Sequence, residues 1–133
     1  MILVDTSVWI DYFNGKACWQ TDYLDGALSN DTILTGDIIL CEILQGFHTN
    51  KEFNTAKNAL DVLECVPIGG KQLAIQAANN FSYLRKKGIT IRKTVDILIG
   101  TWCIESGISL LHNDKDFNQM AKHLPLGVIK NSE

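Results

Sequence analysis

Short continuous runs of apolar residues alternate along the chain with longer stretches of helical periodicity. Apolar runs of this kind are typical of parallel strands that are buried on both faces, and they occur at 2–4, 33–34 and 108–111. Residues 65–68 form a further strand-like run, in which Pro67 indicates an edge or a strand end, and 124–129 supplies a last short strand. Apolar residues three and four apart predict helices over 8–13, 19–28, 38–47, 51–63, 71–87, 95–106 and 117–122. Strands that alternate with helices are typical of βαβ units. We therefore predict one α/β domain over residues 1–133, with a short, mostly parallel β-sheet flanked by helices.

Polar residues and glycines mark the predicted helix ends. Thr6 or Ser7 is expected to cap the first helix, Asp37 the third and Thr94 the sixth, because short polar side chains accept hydrogen bonds from the first helical N–H groups. Gly88 and Gly107 follow two of the predicted helices, at the position where a left-handed residue commonly ends a helix.

The composition predicts a globular protein outside the membrane. Hydrophobic residues make up 46% of the chain and charged residues 20%, and no apolar run approaches the roughly 20 residues that span a bilayer. The apolar start is cut short by Asp5 and has no basic residue before it, which argues against a signal peptide. The four cysteines have neither C-x-x-C nor zinc-finger spacing. Three of them lie within apolar segments, so we expect buried, reduced thiols and a cytoplasmic location.

The net charge of −3 conceals an asymmetry between the two halves of the chain. Residues 1–64 carry ten acids and three Lys/Arg, whereas residues 65–133 carry five acids and nine Lys/Arg. Five of those nine lie close together, and these form the basic stretch: Arg85, Lys86, Lys87, Arg92 and Lys93. A local cluster of this kind can bind a polyanion even in an acidic protein. A solvated helix end would explain it equally well.

Several acidic residues stand at element boundaries next to buried segments. Asp5 ends the first strand, Asp114 and Asp116 follow the strand at 108–111, and Asp96 lies in the first turn of the most apolar helix. Glu42 is the least distinctive, because it lies on the polar face of its helix, where a glutamate usually faces solvent. Each acid has an ordinary explanation as a turn residue, a cap or a partner of the helix dipole.

Taken together, these acids indicate a metal site. The carboxyl ends of parallel strands share one edge, so Asp5 and Asp114 should converge there. Unit charges about 4 Å apart repel by roughly 4 kcal/mol at an effective dielectric of 20, so such a cluster needs a cation. Ligation by oxygen alone favours Mg²⁺ or Mn²⁺, which can activate water for phosphodiester hydrolysis.

The order of these motifs resembles the PIN domain, and more narrowly the VapC-type toxins of bacterial toxin–antitoxin pairs. The matching segments are Asp5-Thr6-Ser7 after an apolar strand, a glutamate in a helix near position 40, Thr94-Val95-Asp96 opening an apolar helix, and Asn113 to Phe117 after a strand. The match covers nearly the whole chain. One departure is His112, since many relatives have a small hydroxyl residue there. His112 could contact RNA or pack, and packing is favoured.

The resemblance implies a Mg²⁺- or Mn²⁺-dependent endoribonuclease. It carries over Asp5, Glu42, Asp96 and Asp114 as the acidic quartet, with Asp116 as a possible fifth catalytic acid. Direct metal ligation is assigned to three of them: Asp5, Asp96 and Asp114. Substrate binding is assigned to Thr6, Ser7, Arg92 and Lys93. The expected partners are RNA, a cognate antitoxin and a second copy of the chain.

The resemblance also implies how an antitoxin would bind. Aromatic residues in the first half of the chain are expected to form a groove for an amphipathic helix: Trp9, Tyr12, Phe13, Trp19, Tyr23 and Phe47. An antitoxin arginine would pair with Asp5 or Asp96 and displace the metal.

Two other interpretations were weighed. A phospho-receiver domain is also a small α/β protein with acids at strand ends, but it needs paired acids after the first strand, where this chain has only Asp5. A PIN-like scaffold that binds partners without cutting RNA is disfavoured by the presence of every expected acid.

Overall fold

The sheet is parallel and places the first strand inside it. The computed structural model describes residues 1–30 and 32–132, and in these residues four strands form one sheet. In chain order they are β1 (Ile2–Val4), β2 (Ile33–Gly36), β3 (Glu64–Val66) and β4 (Ser109–Leu111). Their order across the sheet is β3-β2-β1-β4, with every pairing parallel. The carboxyl ends of β1 and β4 therefore lie side by side, as the predicted α/β fold requires.

Helices follow each strand and cover the sheet. They are α1 (Thr6–Phe13), α2 (Trp19–Asn30), α3 (Asp37–Gln45), α4 (Asn50–Leu60), α5 (Lys71–Lys86), α6 (Thr94–Ser106) and α7 (Lys115–His123). Helix α1 packs on α2 and α3, whereas α5 packs on α6, which also contacts α7. Within the two described ranges, none of the helices has the length and apolar character that crossing a bilayer demands.

Burial differs between the strands: β1 and β2 lie inside the sheet, whereas β3 forms an edge and is largely exposed. All three residues of β1 and all four of β2 are buried, because helices cover the sheet on both faces. Cys65 in β3 and Cys41 in α3 are exposed, so the expectation of buried thiols is wrong for these two cysteines.

Helix α6 is buried along most of its length and approaches α7 closely at Gly100. A Cβ atom at Gly100 would lie 2.6 Å from the Met120 sulfur, so any larger residue there would force the Met120 side chain to move. The close packing holds the start of α7, and the acids there, against the sheet.

The caps of α3 and α6 lie one residue earlier than predicted, and the cap of α1 lies one or two residues earlier. The N-cap residues are Asp5, Gly36 and Lys93, each in extended conformation, rather than Thr6 or Ser7, Asp37 and Thr94. The Asp37 carboxylate is used differently, because its Oδ1 accepts a hydrogen bond from the Ile68 N–H at 2.9 Å. Helix α4 is also shorter than predicted and ends at Leu60.

Two strand predictions were inaccurate for reasons of local chemistry. The third strand ends at Val66 rather than residue 68, since Pro67 has no N–H to continue the ladder. The predicted strand at 124–129 is reduced to one isolated bridge between Leu110 and Val128. Pro125 interrupts the extended run, and the bridge is made by the Leu110 N–H to Gly127 and the Ile129 N–H to Leu110, both at 2.9 Å.

Candidate active site

Asp5 lies where β1 ends against β4. Its N–H donates to the Leu111 carbonyl at 2.9 Å, which extends the β1–β4 ladder by one bond and brings the side chain to the shared edge. Carboxylate oxygen Oδ2 accepts from the Ser7 N–H at 3.0 Å and from the Ser7 hydroxyl at 2.6 Å. The other oxygen, Oδ1, is buried and has no hydrogen-bond partner among the described residues. Asp5 therefore offers one anchored oxygen and one free oxygen.

Ser7 joins Asp5 to the turn that follows β4. While its hydroxyl donates to Asp5, it accepts from the Asn113 N–H at 3.0 Å. In that turn, Asp114 caps α7, with Oδ1 accepting from the Asp116 N–H at 2.9 Å. The Asp114 N–H in turn donates to Nδ1 of His112 at 3.2 Å. Two residues distant in the chain, Asp5 and Asp114, are thus held beside one another.

Asp96 is buried in the first turn of α6 and is only 3% exposed. Burial, and after it the negative charge of Asp5, raises the pKa of its carboxyl group to about 7. The positive charge of Lys93 lowers the pKa of Asp96, whereas the negative charges of Asp114 and Glu42 raise it by smaller amounts. Oxygen Oδ2 of Asp96 is buried without a hydrogen-bond partner among the described residues. The repulsion shows that the four acids of the predicted quartet share one electrostatic site.

Glu42 faces this site instead of the solvent. Its Oε1 accepts a hydrogen bond from the Thr6 hydroxyl at 2.7 Å, and the residue is half-buried. The negative charge of Glu42 also contributes to raising the pKa of Asp5, although burial is the main cause there. The ordinary interpretation of Glu42 as a solvent-facing glutamate is therefore wrong. Thr6 and Ser7, which were expected to contact metal-bound water or phosphate, hold carboxylates in this structure.

Asp116 is neutralised by a nearby arginine. Its Oδ2 accepts from the Arg92 Nε at 3.1 Å and from the Arg92 backbone N–H at 3.3 Å. The same guanidinium lies 3.6 Å from Asp114 Oδ1 through Nη2. Arg92 was predicted to contact RNA phosphate, yet its guanidinium already contacts two acids. Because 59% of its side chain is exposed, it still presents positive charge at the rim of the site.

His112 packs as expected and supports the turn. It is buried, and its ring centroid lies 5.2 Å from that of Phe117. Burial lowers the pKa of the imidazole, so the neutral ring accepts the Asp114 N–H at Nδ1 and carries its proton on Nε2. His112 thus helps to fix the backbone of Asp114.

The chemistry of the donor set fits a hydrated hard cation. Two buried carboxylate oxygens, on Asp5 and Asp96, lack partners, and burying such a group unpaired costs several kcal/mol. Among residues 1–30 and 32–132, no three His, Cys, Asp or Glu side chains are close enough to form a complete ligand cage. Mg²⁺ does not require one, because it is usually held by one or two carboxylates and keeps several waters.

A family comparison agrees with this arrangement. The family model described as PIN domain matches residues 2–123. The chain belongs to the PIN-domain family. The match covers β1 to α7 and so includes Asp5, Glu42, Asp96, Asp114 and Asp116. Membership excludes the phospho-receiver interpretation.

Relatives within the PIN-domain family agree with the narrower resemblance. The chain is 28% identical to ribonuclease VapC11 of Mycobacterium tuberculosis over 124 residues. The aligned region covers 92% of each chain. Its fold is similar to that of VapBC2 from Rickettsia felis bound to a promoter DNA fragment, with a TM-score of 0.77 at 20% identity, covering 97% of this chain and 98% of the other. It is also similar to VapC20 of M. tuberculosis, a toxin that cleaves the sarcin–ricin loop, with a TM-score of 0.68 at 18% identity and coverage of 93% and 96%. The two structural matches establish the fold.

Some parts of this PIN-domain site were not visible in the sequence. Asn113 was assigned no role, yet its N–H binds Ser7 and its side-chain amide donates to Asp11 at 3.1 Å. Its position next to Asp114 in a polar turn was the only signal. The contact between Arg92 and Asp116 was also missed, since 24 residues separate them.

Proposed function

We propose that this PIN-domain protein is a Mg²⁺- or Mn²⁺-dependent endoribonuclease that acts in the cytoplasm as the toxin of a toxin–antitoxin pair. The observation that carries the proposal is the pair of buried, partnerless oxygens on Asp5 and Asp96. Relatives named as VapC ribonucleases support the reaction, and the acidic edge of the sheet supports the metal.

Each residue has a defined task in this proposal. Asp5, Asp96 and Asp114 would hold the ion, one or two of them directly and the rest through its bound waters. The bound ion would polarise a phosphoryl oxygen and lower the pKa of water. Ser7 fixes the orientation of Asp5, and Thr6 does the same for Glu42. Water adds to the phosphorus atom and one P–O ester bond breaks.

Cations near the rim would position the RNA backbone. Lys93 is exposed immediately before α6, and Arg92 precedes it. Phosphate contacts of this kind raise affinity without reading sequence. Two other members of the basic stretch are less free, because Arg85 lies over the Phe81 ring and Lys87 over the Tyr83 ring.

An antitoxin helix would bind in a groove beside α1. A cavity of about 300 Å³ is lined by Ile10, Phe13, Ile43 and Phe47, and the two phenylalanine ring centroids are 6.0 Å apart. Trp9, which was expected to line this surface, is only 3% exposed and belongs to the core. An antitoxin arginine would then pair with Asp5 or Asp96. The resemblance further suggests a homodimer, which analytical ultracentrifugation would detect.

The first test of this function uses the metal. The purified protein should cleave RNA with Mg²⁺ or Mn²⁺ and lose all activity when EDTA is in excess, because the unpaired acids then repel one another and no Lewis acid is present. Gel electrophoresis of RNA at matched ionic strength measures this. Equal cleavage with and without the chelator would refute the metal-dependent reaction.

The second test concerns the toxin role. Expression alone should arrest growth, and co-expression of the small reading frame beside the gene should restore growth through a stable complex. The Asp96→Asn variant is the control, since it should be harmless at equal abundance. If the active protein were harmless when expressed, an RNA-processing PIN nuclease would replace the toxin.

A third test isolates the rim cations. In an Asp96→Asn background, which binds RNA without cutting it, Lys93→Gln should reduce the slope of log affinity against log salt by about 0.7, the value for one single-strand phosphate contact. Adding Arg92→Gln should flatten the slope further. Lys51→Gln, an exposed change on α4, should leave the slope unchanged. A slope that does not respond to Lys93 and Arg92 would remove both from the RNA-binding surface.

A further inference from the structure

A polar cavity adjoins the active site on the far side of Asp114. It has a volume of about 470 Å³ and lies between the start of α2, the turn after β4, the first part of α7 and residues 128–131. Asp114 lines both this cavity and the acidic site, so whatever occupies the cavity lies next to the reacting phosphate. Cavities of this size accommodate small organic ligands.

The side chains around the cavity suit a nucleobase. Trp19 offers an aromatic face, and stacking on such a face is how proteins commonly hold unpaired bases. Gln20, Asn118 and Asn131 carry amides, each of which both donates and accepts hydrogen bonds. The edges of the four bases differ in their order of donors and acceptors, so amides of this kind can distinguish them.

His112 adds a directed donor. It also lines the cavity, and since its Nδ1 is engaged by the Asp114 N–H, Nε2 is the nitrogen that carries the proton. The ring is buried against Phe117, which keeps this donor in place. A fixed donor beside an aromatic face favours one base over another.

The charge at the cavity rim suits the backbone of the same nucleotide. Lys115 and Lys130 line the cavity and are exposed, so they can reach phosphates while the amides contact the base. A smaller cavity of about 280 Å³ continues past Trp19 and shares Lys130 and Asn131 with the first. The two cavities together form a path along which a single strand can extend away from Asp114.

We infer that this cavity binds an unpaired RNA base adjacent to the scissile phosphate and thereby sets the sequence preference of cleavage. The inference rests on the proposed ribonuclease function. It assigns base selection to Trp19, Asn118 and His112, and backbone contact to Lys115 and Lys130.

The experiment measures base preference rather than activity alone. A pool of RNA with random sequence is cut with Mg²⁺, and the new 5′ ends are sequenced to give base frequencies around the cut. The full-length protein should show a preference at one position flanking the cut. Trp19→Ala and Asn118→Ala should each reduce that preference by about 10-fold, consistent with the loss of one stacked or paired base. Preferences at other positions should persist.

Matched variants separate this role from a structural one. Asn79→Ala removes an equally exposed asparagine on α5 and should leave the preference unchanged. Trp19→Phe keeps an aromatic face and should therefore retain most of the base preference. Because Trp19 packs partly against the core, the exposed Asn118 keeps the test valid if Trp19→Ala fails to fold. An unchanged preference in both Trp19→Ala and Asn118→Ala would overturn the inference.

A second measurement does not depend on cleavage. The Asp96→Asn protein is titrated with AMP, CMP, GMP and UMP, and tryptophan fluorescence is recorded. One nucleotide should bind at least about 5-fold more tightly than the others, as expected for a single stacked and hydrogen-bonded base, and Asn118→Ala should remove the difference. Selective binding, together with a wild-type protein that cuts no RNA when metal is present, would retain the base site and reject the ribonuclease.

The remaining outcomes reject the base site. Cleavage without base preference, together with equal binding of all four nucleotides, would overturn it and leave the ribonuclease intact. Loss of antitoxin binding in Trp19 and Asn118 variants whose base preference is intact would also overturn it, since the cavity would then be a protein-binding surface.

Discussion

Replacing Asp96 by asparagine should abolish RNA cleavage and, at the same time, stabilise the metal-free protein. Asp96 is buried beside Asp5, and an oxygen of each has no partner. Changes to residues that merely support a metal ligand cost about 10- to 100-fold in activity or metal affinity, so loss of a ligand should cost at least about 100-fold. In the absence of metal, the neutral side chain removes a buried charge that its neighbours repel. The free energy of unfolding should rise by about 1–3 kcal/mol at pH 8.

The measurements are RNA cleavage with Mg²⁺ and urea unfolding in EDTA. Asp61→Asn is the matched control, because Asp61 is exposed and pairs only with Lys57, a surface contact worth less than about 1 kcal/mol. Near-full activity of Asp96→Asn with metal would show that Asp96 is not a ligand.

Substitutions of the other acids should reduce RNA cleavage to different degrees. Asp5→Asn and Asp114→Asn should be as inactive as Asp96→Asn, and Glu42→Gln should also be damaging. Asp116→Asn should lose less, because Asp116 is neutralised by Arg92 and supports the turn instead of facing the unpaired oxygens. If Asp116→Asn were the most damaging of these variants, the metal site would have to be moved towards α7.

The metal-free protein should lose stability as the pH rises from about 4 to about 7, and metal should restore it. Burial raises the pKa of Asp96 to about 7 and also raises that of Asp5, so the folded state retains protons that the unfolded state has released. Stability falls with pH wherever the folded state binds more protons. The raised pKa of Asp96 lowers the free energy of unfolding by about 4 kcal/mol at most between these pH values.

His112 changes the stability with pH in the opposite direction, so its contribution has to be separated from that of Asp96. Burial lowers the pKa of its imidazole, which makes the folded state lose its proton first and raises stability with pH. The difference between the wild-type protein and Asp96→Asn removes this contribution, since both contain His112. Thermal unfolding in EDTA at pH 5 and pH 8 measures it.

Metal addition tests the same linkage. Mg²⁺ at 100 times its dissociation constant stabilises by about 2.7 kcal/mol if it binds only the folded state. Protons compete for the same carboxylates, so the rise in melting temperature should be larger at pH 8 than at pH 5. An equal rise at both pH values, or an equal rise in Asp96→Asn, would contradict metal binding at Asp96.

The strands and the end-of-strand acids were predictable because their physical causes are local. A strand buried on both faces must be a continuous apolar run, and an acid directly after it, such as Asp5 or Asp114, must lie at the sheet edge. Several helix starts were displaced by one or two residues because the cap is defined by backbone conformation as well as by side-chain type. Asp5 satisfies both conditions, whereas Lys93 is extended without a side-chain cap.

The contacts between distant segments could not be predicted in the same way. Glu42 lies on a polar helix face, and only its bond to Thr6, 36 residues away in the chain, shows that this face is turned to the site. The sequence also displays the charges of Arg92 and Asp116 without their pairing, so it could not show that Arg92 is partly engaged while Lys93 is free to contact phosphate. The cavity at Trp19 was invisible for the same reason, since residues 128–131 form one of its walls.

The ladder bond between Asp5 and Leu111 has a consequence during protein synthesis. The first strand pairs with β4, so its last hydrogen bond and the Ser7–Asn113 contact need residues that leave the ribosome more than a hundred positions after Asp5. Asp114 arrives equally late, and Asp96 emerges only after α5. A nascent chain that has emerged only as far as α5 therefore contains Asp5 and Glu42 but no assembled acidic centre. The order of translation itself delays the nuclease while its own messenger RNA and ribosome are still within reach.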